Sequence, residues 1–196
     1  IQFENYLEDI KLNQFNVKSK VSYCNQGIAK SMNKGILLSS GKWILILHSG
    51  DYIIRNEENY SQVLNSLKES EERTINIFGS LYKSSSGKLM ESNHHRSSIR
   101  SLLFPWIPHQ STFVHCKVYE DLLYDQAYKY SMDYEFFLRC SKCNVNFKTY
   151  PYYITVYELG GTSSNIVKSV NDIFHALNRN SSGNFVMRFV NFLIVL

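Results

Sequence analysis

Three short stretches of the 196-residue chain carry side chains that could do chemistry: His48-Ser49-Gly50-Asp51, His109-Gln110, and Asp133 within SMDYE. Carboxylates and imidazoles are the groups that move protons or bind cations near neutral pH. On residue type alone, His48, Asp51 and Asp133 would also suit a metal-dependent phosphohydrolase, which would release phosphate from simple esters without a second substrate. A structural reading stands beside each residue: Asp51 as a turn or cap residue, Asp133 as a helix-start carboxylate serving the dipole, His109 as a strand-edge histidine and His48 as a packing group. Cys140 and Cys143 make one C-x-x-C, but no second ligand pair follows at zinc-site spacing. With Cys24 and Cys116 they read as free thiols of a cytosolic protein.

The elements that must position these residues follow from hydrophobic spacing. GKWILILHSGD, Gly41 to Asp51, is a Gly turn, a short apolar run and a polar loop. Trp43 to Leu47 has the pattern of a strand buried on both faces of a parallel sheet, and ligands of open α/β sheets bind beyond the carboxyl ends of such strands. That places His48 to Asp51 at a site. Upstream, Phe3, Tyr6, Leu7 and Ile10 predict a helix, Val17 to Tyr23 a strand, and Ile28, Met32 and Ile36 a helix capped by Asn25 and running to about Ser39. Downstream, Tyr60, Val63, Leu64 and Leu67 predict a helix, and Thr74 to Tyr82 a strand turning through Ser84 to Gly87 into Lys88 to Met90. Ser92 to Arg100 has no period and reads as a loop. Ile107 to Val114 reads as a strand entered through Pro108, and Lys117 to Leu123 as a short helix. Ser131 is positioned to cap the helix that carries Asp133. Tyr150 to Tyr157 predicts a strand with Pro151 at its start or on an edge, ending at Gly160 and Gly161, and a helical tail begins at Ser169. Alternating helices and strands give the α/β class.

Composition narrows the partners. The chain fits one domain, and its 44% hydrophobic content allows a sizeable core. Fourteen Tyr and 12 Phe favour strands and a ring-lined pocket. A net charge of +4 suits anionic small ligands or a membrane surface, but the chain lacks the dense basic block that nucleic-acid binding needs. The chain starts at Ile1 without a signal pattern and ends inside the apolar run Phe185 to Leu196, which is expected of a piece of a longer protein. As given, that run is too short to span a bilayer. It fits an interfacial helix, the opening of a membrane segment or a core helix.

SYCNQGIAKSMNKGI, SSGKWILILHSGD, IPHQSTF, YSMDYEFFLR and ELGGTSS occur in this order. Together they resemble the successive blocks of family 2 glycosyltransferases with the GT-A fold, over about Val21 to Ser164, and most closely the bacterial enzymes that build surface polysaccharide or lipopolysaccharide. The resemblance implies a Rossmann-like mixed sheet flanked by helices and an inverting transfer of a sugar from a nucleotide-diphosphate donor to a saccharide or lipid-linked acceptor. The family's metal loop usually carries two Asp. Here Gly50 takes the earlier place and Asp51 the later, leaving Asp51 as the side-chain ligand of a divalent cation, Mg²⁺ or Mn²⁺. Asp133 matches the general base. Asn25, Gly27, Asn33, Lys34, Ser49 and Gly50 fall on the donor-binding side, and His109, Gln110 and His48 beside the sugar and acceptor. Asn25 stands where relatives usually carry Asp. The family's first strand and its acidic, Ser-rich loop have no counterpart, so residues 1–168 are expected to be an N-terminally truncated GT-A domain. Residues 169–196 are then a helical segment offering contact with the inner face of the cell membrane. The alternative of the same fold is a catalytically impaired nucleotide-sugar or carbohydrate-binding module.

Overall fold

A computed structural model describes residues 26–84, 86–92, 107–158 and 165–180. The expected helix and strand before residue 26, Asn25 itself, all but the first residue of the Ser92 to Arg100 loop, Gly160, Gly161 and the apolar run from Phe185 lie outside these residues.

The long strand β3, Thr74–Lys83, organises the sheet. One edge of β3 pairs in parallel with β6, Asn146–Glu158. The other edge is shared by β5, Thr112–His115, along Ile75 to Ile77, and β4, Leu89–Glu91, along Leu81 to Lys83, both antiparallel. Strand β1, Trp43–Ile44, extends the sheet beyond β5, and β2, Tyr52–Ile53, beyond β6, giving the order β1-β5-β3-β6-β2. The sheet is mixed and helices cover both faces. This is the expected α/β class.

Alternation along β3 shows why both faces need cover. Ile75 and Ile77 enter a core built with α1 (Ile28–Leu38), α3 (Cys116–Asp121), α4 (Met132–Cys140) and α5 (Ile166–Asn180). Phe78 enters a second cluster with Val63 and Leu67 of α2, Glu57–Lys68, and Ile154 of β6. Strand side chains alternate between faces, so one strand can feed two cores. Tyr60 and Leu64 of the predicted α2 stripe are exposed, and only Val63 and Leu67 of it are buried.

Four local expectations are corrected. Trp43–Ile44 pairs antiparallel with β5 rather than in parallel, and Trp43 to Ile46 are half-buried while Leu47 is exposed. The run is apolar because Trp43 touches the α2-side cluster and Ile44 and Ile46 the other, although among the described residues it has one strand neighbour. Ile107 to Val114 is not one strand. His109–Ser111 forms a 3-10 turn first, because the Ser111 N–H and the Thr112 hydroxyl donate to the Pro108 carbonyl while the Ser111 hydroxyl donates to the Phe78 carbonyl of β3. Pro151 lies inside β6 rather than at its start, at a break in register: from Ile77 to Gly79 β3 advances two residues while β6 advances four, from Thr149 to Tyr153. The excess residues bulge out of the ladder where Pro151 has no N–H to give it. The N-cap of α1 is Gly27, at φ 84°, rather than Asn25.

The helix expected from Ser169 starts at Ile166, and its Ile173, Ala176 and Leu177 belong to the main core. The boundary placed between residues 168 and 169 therefore falls inside α5. Among the described residues, no helix is long and apolar enough to cross a membrane.

Candidate functional site

The loop leaving β1 closes into a turn at His48 to Asp51. The Asp51 N–H donates to the His48 carbonyl at 3.1 Å, and the His48 N–H donates to the Asp51 carboxylate at 2.8 Å. The structural reading of Asp51 as a turn residue is thus correct as far as one oxygen goes. Gly50 sits at φ 93°, a backbone conformation that side-chain-bearing residues rarely adopt. The turn itself therefore selects glycine where two-carboxylate loops carry an acid. Across from it, Glu158 Oε2 lies 3.8 Å from where a Cβ on Gly50 would be, and Glu158 Oε1 lies 4.0 Å from the Lys83 ammonium.

The 3-10 turn brings a second group to this loop. The His109 ring meets the His48 ring edge-on at 4.7 Å, and its Nδ1 lies 3.4 Å from Asp133 Oδ2. Asp133 is in the first turn of α4, and its other oxygen accepts the Tyr134 N–H at 2.9 Å. His48 and Asp51 on one turn, His109 on the 3-10 turn and Asp133 on α4 come from three separate parts of the chain and meet in one place. Burial alone would raise the Asp133 carboxyl, but the His109 contact, with the Tyr134 N–H, outweighs it and holds Asp133 below the usual carboxylate value. Burial, then the neighbouring His109, pushes His48 down, against the pull of Asp51 and Asp133.

Other predicted residues have different surroundings. Gln110 is buried beside His109, and Ser49 is exposed on the turn. Gly27 starts α1, and its carbonyl accepts the Ser31 N–H and hydroxyl. Lys34 donates to the Gln26 side chain. Asn33 is buried, and its carboxamide is taken up by the Tyr124 backbone, donating to the carbonyl at 2.8 Å and accepting the N–H at 2.9 Å. Glu135, four residues before Arg139, is buried against that guanidinium at 2.6 Å, which separates it from Asp133.

Asp172 gives no sign in the sequence yet shapes the site. From α5, one of its carboxylate oxygens accepts the N–H groups of Lys129, Tyr130 and Ser131 at 3.0, 2.7 and 3.3 Å. The Ser131 hydroxyl, expected to cap α4, donates to the Ser169 carbonyl instead. The start of the Asp133 helix is therefore held from α5.

For a divalent cation, the available donors are hard oxygens: Asp51, with Glu158 beside its turn. Among the described residues no group of three His, Cys, Asp or Glu could cage a metal alone. Such a set fits Mg²⁺ or Mn²⁺, which are held by one or two carboxylates with the rest supplied by phosphates and water.

No family model matches the sequence, and no curated protein matches it. Among solved structures the chain is similar to TarS of S. aureus, a glycosyltransferase. The TarS 1-349 structure aligns with a TM-score of 0.66 at 14% identity, over 92% of this chain and 51% of that one. TarS 1-349 in complex with UDP aligns at 0.62 and 13%, over 96% and 56%. A further TarS structure aligns at 0.65 and 14%, over 92% and 31%. The chain thus has a glycosyltransferase-like fold and spans about half the length of the first two of these chains.

Proposed function

We propose that this chain is the catalytic part of a family 2, GT-A glycosyltransferase that moves a sugar from a nucleotide-diphosphate donor to a hydroxyl of a saccharide or lipid-linked saccharide. The reading is carried by the meeting of Asp51 and Asp133, through His48 and His109, on this fold. Asp133 is the general base. It takes the acceptor hydroxyl proton as that oxygen bonds to the anomeric carbon, while the bond from that carbon to the diphosphate oxygen breaks on the opposite face and inverts the centre. Asp51 would hold the divalent cation, which when bound offsets the charge gathering on the leaving diphosphate. The TarS complex with UDP supports UDP as the first nucleotide to try.

The test is transfer and donor hydrolysis by the full-length protein across nucleotide sugars, with product stereochemistry read by NMR. Asp133→Asn should lower kcat by about 100-fold or more, and Asp51→Ala should remove the stimulation by Mn²⁺. Activity that survives both changes overturns the proposal. Gly50 favours a second reading, a binding module whose single carboxylate supports no turnover. That reading predicts UDP binding with no product from any donor.

A further inference from the structure

We propose that His109 is a positioning residue, whose Nδ1–H holds one oxygen of Asp133 and so fixes the orientation and charge of the base, rather than a group that orients the sugar. The inference rests on the reading of Asp133 as base. Three observations carry it. Nδ1 faces Asp133 Oδ2 at 3.4 Å, so Nδ1 bears the proton in whichever charge state the ring holds. The other ring nitrogen, Nε2, is buried and has no hydrogen-bond partner among the described residues, so within them the ring has no route for passing a proton onward. The ring itself is fixed, by the 3-10 turn on which it stands and by the edge-on contact with His48.

The carboxylate is therefore held at both oxygens, by His109 at Oδ2 and by the Tyr134 N–H at Oδ1. A carboxylate so gripped can rotate little, and proton transfer is sensitive to that orientation. The charged and titratable groups around it are His109 from the 3-10 turn, His48 from the loop after β1, and Tyr124 from the segment before α4. Asp51 acts on His48. Of these, His109 alone places a donor on the Asp133 carboxylate among the described residues.

The inference can be tested without turnover. In full-length protein free of metal and donor, the Asp133 carboxyl carbon is titrated by NMR in the parent and in His109→Phe, His109→Asn and His109→Gln. An Asn amide nitrogen can occupy the place of Nδ1, whereas that of Gln falls near Nε2. Asp133 should titrate at higher pH in His109→Phe and His109→Gln, and His109→Asn should bring it back toward the parent. In activity, the acid limb of kcat/KM should move up in pH with the first two variants and return with His109→Asn, at unchanged KM for donor. An unmoved Asp133 titration in His109→Gln, or equal rescue by Gln and Asn, overturns the proposal. Should His109→Phe fail to fold, the Asn and Gln pair still decides the question. Full activity in Asp133→Asn would instead sink the base reading while leaving the NMR result standing.

Discussion

Asn33 shows how a residue in a recognisable block can be occupied by the fold. Both ends of its carboxamide are bonded to the Tyr124 backbone, and the Tyr124 ring is itself stacked on Phe136 in the core. Asn33→Ala leaves a backbone N–H and a carbonyl without partners, at a cost of about 2–4 kcal/mol. The expected outcome is a lowered urea midpoint with UDP affinity unchanged at a temperature where the variant is folded. Weakened UDP binding in a fully folded variant would return Asn33 to the donor side. Gly50 is the complementary case. It departs from the two-carboxylate loop, and its φ of 93° supplies a reason internal to the chain: this backbone conformation strains any L side chain whatever its chemistry.

At the scale of elements, the junction of β5 and α3 is a buried histidine. His115 Nδ1 accepts the Lys117 N–H at 3.1 Å and caps α3, its ring meets Trp43 edge-on, and Nε2 is buried without a partner among the described residues. Burial, then Lys42, push its protonation below the ordinary histidine value of 6.5. The fold thus prefers the neutral ring, which the unfolded chain does not. Stability is full above about pH 6.5 and is lost as pH falls from there toward the lowered folded value. Melting temperature measured against pH should show this acid-side loss, and His115→Asn, which keeps a cap but cannot titrate, should flatten it. Hydrophobic period was enough to find α1 and α2, a β-rich run was enough to find β3, and the Ser84 to Gly87 turn located its hairpin partner β4, whose own residues are exposed. Local pattern was not enough at His109–Ser111, where hydroxyls close to the backbone turned an apparent strand into a 3-10 turn, nor at Pro151, whose place inside β6 depends on a partner strand more than sixty residues earlier in the chain. At the site, the residue types were legible in His48, Asp51, His109 and Asp133. Their order of contact was not, since it arises from the meeting of a loop, a 3-10 turn and a helix start that are far apart in the chain.

The largest scale joins the last described helix to Asp133, the proposed base. Asp172 takes three consecutive N–H groups just before α4, and Lys168 adds a bond to the Tyr130 hydroxyl at 3.1 Å. No local pattern could announce this, because an acid on a helix surface looks the same whether it faces water or a neighbour's backbone. Asp172→Ala should cost about 2–4 kcal/mol in a urea titration. It should also lower kcat more than it raises the donor KM, because Asp133 loses its anchorage while Asp51 keeps its own. Equal loss in both constants would mean that the clamp serves stability alone. The clamp also sets an order of events during synthesis. The Asp51 turn and the Asp133 helix leave the ribosome first, yet the helix start is not tied down until Asp172 has followed some forty residues later. A nascent chain thus has its Asp51 turn before the start of its Asp133 helix is tied down, so that translation itself delays the moment at which the two halves of the proposed site meet.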